Sequence, residues 1–269
     1  MKPAIFLALA ALSSTAFAEP PQTIDVGKLT AQSKLIDKVV VPVPSEIFAV
    51  LDKLGKPNWT AVLRKMPRVA EAPSEQPKIA LVLGTVIAEG FIAVEAEDVN
   101  EVKQIGKSVL NLAKALGVKE KVQVRAKAIT DAAEAKDWNA VRRQLDKVLD
   151  DVGERMTEIN SEELSQLVSL GGWLRGTEAL TMVVEKQYTK DGAELLHQPL
   201  LLDYFEKRLA HMKPKMKLNP LVIKVQKGVL EIRPLMGLPD GGDISEKSVK
   251  EIGAIAAGLV NAINAKSDN

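Results

Sequence analysis

The chain contains no cysteine, and this absence excludes disulfide bonds, thiolate catalysis and covalent attachment of a c-type haem. Aromatic residues make up only 4% of the sequence, so we do not expect the stacking platforms on which proteins bind sugars or nucleobases. Two histidines give little basis for a histidine-rich metal site, and we predict neither a metal nor a cofactor. The sequence therefore favours a function based on shape over one based on metal or thiol chemistry.

The sequence also has no large excess of charge of either sign, because it contains 36 basic and 35 acidic residues. Proteins that bind nucleic acid carry basic tracts, and proteins held to anionic membranes carry polybasic patches. The chain has neither feature, so we expect no nucleic-acid partner and no electrostatic attachment to a membrane surface.

The N-terminus has the three parts of a secretory signal peptide. Residues 1–18 contain Lys2, an apolar run from Ile5 to Leu12, and the sequence Ala16-Phe17-Ala18. We expect cleavage between Ala18 and Glu19, because small residues at these two alanine positions are typical of the cleavage site. The protein is then predicted to be periplasmic or secreted, with no transmembrane anchor after cleavage.

The rest of the chain shows the apolar periodicity of helices. We expect residues 19–44 to form an irregular, proline-containing N-terminal segment and residues 45–269 to form a single all-helical domain, with internal loops at 67–77 and 237–244. The fold class predicted is all-α, an irregular bundle of about eight or nine helices. The predicted helices are 46–54, 58–66, 76–97, 98–116, 119–135, 137–159, 161–190, 192–212 with a bend at Pro199, and 245–265.

Residues 219–236 fit two structures. Asn219-Pro220 is typical of a helix start, and the apolar residues that follow repeat at helical spacing. The same segment could form a hairpin that turns at Lys227-Gly228. We favour the helix.

The most apolar stretch, Ile79 to Val94, contains one acid, Glu89, and raises the question of a membrane span. A spanning helix needs about 20 apolar residues, and an acid at the bilayer centre costs about 2.5–3.5 kcal/mol. The stretch is shorter than this and lacks charged flanks of the stop-transfer type. We interpret it as a helix buried in the core of a soluble protein.

Small residues four positions apart suggest how this helix packs. Gly84 and Ala88 fall on one face of the predicted helix 76–97, and Gly172 and Gly176 repeat the spacing in the helix 161–190. Small residues at this spacing allow two helix backbones to approach closely. We therefore predict that these two helices lie against each other at the centre of the fold.

Three charged residues on these two helices need a partner if they are buried. A carboxylate in an apolar environment either pairs with a cation or gains a proton. Arg175 is placed to pair with Glu89, and Glu178 lies one turn beyond it. The three residues form either a structural ion pair or a group of polar side chains in a cleft, where they would bind or activate a molecule. We favour the structural ion pair.

The sequence contains no G-x-S-x-G, H-E-x-x-H, Walker or dinucleotide-binding motif. We expect an exported, soluble helical protein with a binding or scaffolding role, whose partner is a protein, a peptide or an apolar small molecule held between helices. The first alternative is an exported hydrolase or other enzyme with a carboxylate and arginine centre at Glu89, Arg175 and Glu178. The second is a structural module that self-associates through its small-residue faces.

Overall fold

A computed structural model describes residues 57–64, 72–236 and 242–265, together with two short strands nearer the N-terminus. Strands β1 (Lys34–Ile36) and β2 (Val39–Val41) pair antiparallel, with Leu35 opposite Val40. They lie within the segment that we predicted to be irregular, and the β-branched valines of β2 favour the extended backbone. The predicted signal peptide 1–18 and the predicted helix 46–54 lie outside the described residues.

Helices make up the rest of the described chain, and the prediction of an all-α fold is confirmed for this part. Eight helices have twelve or more residues, and three have four or five. In chain order they are α1 (Trp59–Val62), α2 (Gln76–Glu95), α3 (Val99–Ala115), α4 (Lys119–Glu134), α5 (Trp138–Glu158), α6 (Glu162–Lys186), α7 (Lys190–Glu194), α8 (Pro199–Ala210), α9 (Pro214–Lys217), α10 (Pro220–Met236) and α11 (Glu246–Asn264).

The turns between α2 and α6 share one geometry. In each turn one residue has a left-handed backbone, with φ between 52° and 75°. The residue that follows it donates its N–H to a carbonyl five residues earlier, as Asp98 does to Ala93 at 3.0 Å. This is the Schellman arrangement, which satisfies the free carbonyls at a helix end. The left-handed residues are Glu97, Gly117, Lys136 and Asn160.

Side-chain caps begin several of these helices at the positions where short polar residues occur. The Asp98 carboxylate accepts the N–H groups of Asn100 and Glu101 at 3.0 Å, and Asp137 accepts the N–H of Ala140 at 2.9 Å. Such caps satisfy N–H groups that have no partner within the helix. Short turns and capped starts therefore place α2 to α6 as consecutive neighbours that contact one another.

Two proline-containing segments differ in how well their sequence predicts their structure. The predicted bend at Pro199 is wrong: the chain forms the short helix α7, and Pro199 then occupies the first turn of α8, where its missing N–H is not needed. Residues 220–236 form a helix and not a hairpin, and the Asn219 side chain accepts the N–H groups of Leu221 and Val222.

Helix α2 lies at the centre of the described part of the chain. It contacts α3, α5, α6 and α11, and its residues from Ile79 to Val94 are all buried. By length and composition α2 is apolar enough to cross a membrane, but the surrounding helices cover it. A helix that is apolar all round is expected where neighbours cover every face, and α2 fits this arrangement.

Candidate functional site

Helices α2 and α6 approach so closely that two glycines are required at the contact. A Cβ atom on Gly84 would overlap the carbonyl oxygen of Val168, and one on Gly171 would overlap the carbonyl oxygen of Leu81. Because each obstacle is backbone, no side-chain rotation would relieve the overlap. The two helices therefore lie in contact along their backbones.

The other small residues at the predicted contact take different positions. A Cβ atom on Gly172 would lie 3.5 Å from the Gly84 oxygen, an ordinary van der Waals contact, and Gly176 has nothing within 4 Å of its Cβ position. Ala88 is buried in α2. The predicted pairing of the two helices is present, but the second close approach is made by Gly171 and not by Gly176. Spacing along a helix predicts a shared face, whereas the rotation of that face decides which glycine meets the partner backbone.

The predicted ion pair lies beside this contact. The Arg175 Nε atom donates to the Glu89 Oε2 atom at 2.6 Å, and both side chains are at most 1% exposed. Glu178 lies one turn along α6, with its Oε2 atom 3.4 Å from the Arg175 Nη1 atom. The structure thus brings together Glu89, Arg175 and Glu178.

A segment that precedes α2 covers these three side chains. We call residues 57–64 the strap. The Arg175 Nη2 atom donates to the Val62 carbonyl oxygen at 2.7 Å, and the backbone N–H of Arg64 donates to the Glu89 Oε1 atom. Trp59 and Val62 of the strap are buried in the core. Polar backbone groups of the strap are therefore satisfied by the same ion pair that joins α2 to α6.

The side chain of Arg64 completes the cluster. Its guanidinium donates through Nε to the Glu178 Oε1 atom at 2.9 Å and through Nη1 to the Asn261 Oδ1 atom at 2.6 Å. Asn261 belongs to α11, so the cluster connects the strap with three helices. We call Arg64, Glu89, Arg175, Glu178 and Asn261 the polar centre.

Sequence reasoning missed Arg64 and Asn261. Arg64 lies 25 residues before Glu89 and 114 residues before Glu178 along the chain. A separation of this size produces no periodic signal, because helical spacing relates only residues within a few turns of one another.

The charges in the polar centre balance, with two arginines facing two glutamates. Burial raises the pKa of the Glu89 carboxyl above its ordinary value, and the Arg175 guanidinium and the Arg64 amide oppose this rise only in part. The ion pair therefore does not fully compensate the cost of removing Glu89 from water. Both glutamates accept hydrogen bonds from arginine, whereas the Glu178 Oε2 atom and the Arg175 Nη1 atom are buried without a hydrogen-bond partner.

A cavity of about 380 Å³ lies on another side of α2, between α2, α3, α4 and α5. We call it the α2–α5 cavity. Two of its lining residues are glycines: Gly90 of α2, and Gly106 of α3, whose Cβ position has nothing within 4 Å. Its buried apolar lining consists of Ile87, Val102, Ile105, Val109, Val122, Ile129, Leu145 and Val148.

Polar side chains line the more exposed part of the same cavity. Lys103 of α3 forms an ion pair with Glu134 of α4, and both side chains are partly exposed. The other polar lining residues are Asn100, Gln104, Lys107 and Thr130. The cavity thus combines an apolar interior with a polar edge, the usual composition of a small-molecule site.

Neither of these regions has the composition of a metal centre. Within the described residues, no three or more histidine or acidic side chains are grouped closely enough to hold a metal ion. Glu95, near the end of α2, accepts two bonds from the Arg142 guanidinium at 2.6 Å each.

No protein-family model, no curated protein and no solved structure matches the chain. The polar centre and the α2–α5 cavity are therefore the features from which a function is inferred.

Proposed function

We propose that the protein is an exported helical binding protein whose α2–α5 cavity receives an apolar small molecule. The observation that carries this proposal is the cavity itself, with its volume of about 380 Å³ and its valine, isoleucine and leucine lining. Small-molecule sites enclose about 300–1,000 Å³, are mostly apolar, and place a few polar groups where they orient the ligand. The volume of the cavity, its mostly apolar lining and the few polar residues at its edge agree with this description.

Export is the second part of the proposal. It is supported by residues 1–18, where Lys2, the apolar run and the Ala16-Phe17-Ala18 sequence follow the order of a signal peptide. The expected location is the periplasm or the extracellular medium. A binding protein in either place would meet its ligand outside the cytoplasm.

The geometry gives less support to the two alternatives. A hydrolase centred on Glu89, Arg175 and Glu178 needs a carboxylate that is free to take a proton, whereas arginines engage both glutamates and the strap covers them. Self-association through the small-residue faces needs those faces at the surface. The Gly84–Ala88 face is instead buried, with Gly84 against the backbone of α6, and Gly172 lies in van der Waals contact with the Gly84 backbone.

The proposal is tested by filling the cavity without disturbing the fold. Gly106→Leu places a side chain in the open space at the cavity lining, and Gly258→Leu makes the same change on α11, where the Cβ position also has nothing within 4 Å. The probe is N-phenyl-1-naphthylamine, an uncharged dye that fluoresces in apolar surroundings. We expect saturable binding by the unmodified protein, a loss of about tenfold or more in Gly106→Leu, and no change in Gly258→Leu.

Thermal unfolding provides the folding control for both variants. Replacing a helical glycine by leucine favours the helix by about 0.5–1 kcal/mol, so both variants are expected to unfold at or above the temperature of the unmodified protein. Dye binding that survives Gly106→Leu, or that never saturates in the unmodified protein, would contradict the proposal.

A further inference from the structure

We infer that the ligand of the α2–α5 cavity is an amphipathic acid, whose carboxylate binds Lys107 and Lys103 while its apolar chain fills the interior. This inference rests on the proposed function and adds the chemical class of the ligand.

The two lysines lie on one face of α3. Lys103 and Lys107 are four residues apart, which places their side chains one above the other on a helix. Both line the cavity. A head group at this edge is therefore within reach of two ammonium groups.

The positive charge at the edge is only partly compensated. Glu134 reaches across from α4 to Lys103, whereas Lys107 forms no ion pair with any residue that the structure describes. Two lysines and one glutamate leave a net charge of +1 among the lining residues. An anionic group would complete this set of charges, and a cationic group would face repulsion from Lys107.

The pair between Lys103 and Glu134 does not prevent anion binding. Both side chains are at least 36% exposed, and ion pairs at such positions contribute little because water and salt screen them. Lys103 can therefore exchange Glu134 for a ligand carboxylate at small cost. Asn100 and Gln104 provide hydrogen-bond donors beside the lysines.

The apolar interior of the cavity favours a hydrocarbon chain at the other end of the ligand. The lining behind the lysines consists of aliphatic side chains from four helices, which offer no hydrogen bond to a polar group. An unbranched hydrocarbon chain satisfies this environment, whereas a sugar or an amino acid would lose its hydration without replacement. A medium-chain fatty acid has the required combination.

The test compares decanoate with 1-decanol, which has the same chain length and no charge. Calorimetric titration at low ionic strength is expected to show decanoate binding about fivefold tighter than decanol. The difference should shrink as salt is added, because the lysines are exposed, while decanol binding should not weaken.

Three variants separate the lysine contact from a general effect of charge. Lys107→Gln should remove most of the preference for decanoate and leave decanol binding unchanged. Glu134→Gln should increase the preference, because Lys103 is then free. Lys114→Gln, on the same helix but outside the cavity lining, is the matched control and should behave like the unmodified protein.

The outcomes distinguish this inference from the proposed function. If decanol binds as tightly as decanoate, or if Lys114→Gln reduces the preference as much as Lys107→Gln, the amphipathic-acid inference is overturned while a binding cavity remains. If neither compound binds and N-phenyl-1-naphthylamine does not bind either, the proposed function itself is overturned.

Discussion

Helix α2 faces two regions of the molecule in which glycine has opposite consequences. At the contact with α6, the backbone of the partner helix occupies the space that a side chain on Gly84 would need. At the α2–α5 cavity, the space beside Gly106 is empty. A helical glycine therefore lies either at a close approach or beside open space, and only its surroundings distinguish the two.

The charged groups of the two regions also differ, in how far they are buried. Glu89, Arg175 and Glu178 of the polar centre are buried, and removing one of these charges leaves another without a partner away from water. The Lys103–Glu134 pair at the cavity edge is exposed, so its partners can separate at little cost. The first arrangement holds helices in register, and the second is compatible with ligand exchange.

The largest expected effect is at the polar centre. Arg175→Met should lower the free energy of unfolding by about 3–5 kcal/mol, because the buried Glu89 loses its main partner and must then carry an unpaired charge or gain a proton. The double change Glu89→Leu with Arg175→Met should cost less than the sum of the two single changes, since no unpaired charge remains. Urea denaturation measures all three variants.

Arg125→Met is the control for this prediction. It removes an ion pair with Asp151 in which both side chains are partly exposed, and it should cost less than about 1 kcal/mol. Equal losses of unfolding free energy in Arg125→Met and Arg175→Met would contradict the prediction that the buried ion pair contributes more than the partly exposed one.

The next effect is at the contact of α2 with α6. Gly84→Ala should destabilise the protein by about 3 kcal/mol, the upper part of the range for overpacking, because the obstacle is a backbone carbonyl. Gly176→Ala is the matched variant with open space, and it should stabilise the protein by up to about 1 kcal/mol through helix propensity. Thermal unfolding of both proteins tests the contrast, and similar melting temperatures would contradict it.

The smallest expected difference in unfolding free energy is between alanine substitutions of two core leucines. Leu174 of α6 is fully buried, whereas Leu145 of α5 lines the α2–α5 cavity and is 9% exposed. Truncation to alanine costs about 3–5 kcal/mol where the surroundings cannot relax, and we expect Leu174→Ala to fall at the upper end. Leu145→Ala should cost about 2 kcal/mol less, because it enlarges a space that already exists. Chemical denaturation curves that gave equal losses would argue that the cavity is filled.

Local features explain why most of the helices were predicted well. The apolar stripe of α3 and the cap formed by Asp98 are both determined by residues within a few positions of each other. Pro199 shows the limit of such reasoning, because a proline is compatible both with a bend and with the first turn of a new helix. Which of the two forms depends on how the chain after α6 packs.

The candidate sites show where local reasoning stops. Their apolar surroundings and opposite charges predict the pairing of Glu89 with Arg175, whereas Arg64 lies too far away in the chain for local spacing to indicate its contact with them. The α2–α5 cavity has no signature of its own, because its lining is drawn from ordinary apolar stripes on four helices. Each stripe alone predicts only a buried face.

Composition and periodicity are sufficient to predict that the described part of the chain is mainly helical, that cysteine chemistry is absent, and that α2 is buried, because each of these properties depends on residue type and short spacing. The tertiary structure alone decides that Gly171 and not Gly176 meets the backbone of α2, that the strap covers the polar centre, and that the stripes of α2 to α5 leave a cavity between them. The physical reason is that close contact and empty space are properties of pairs of helices, and their relative rotation and offset are not encoded in either helix by itself.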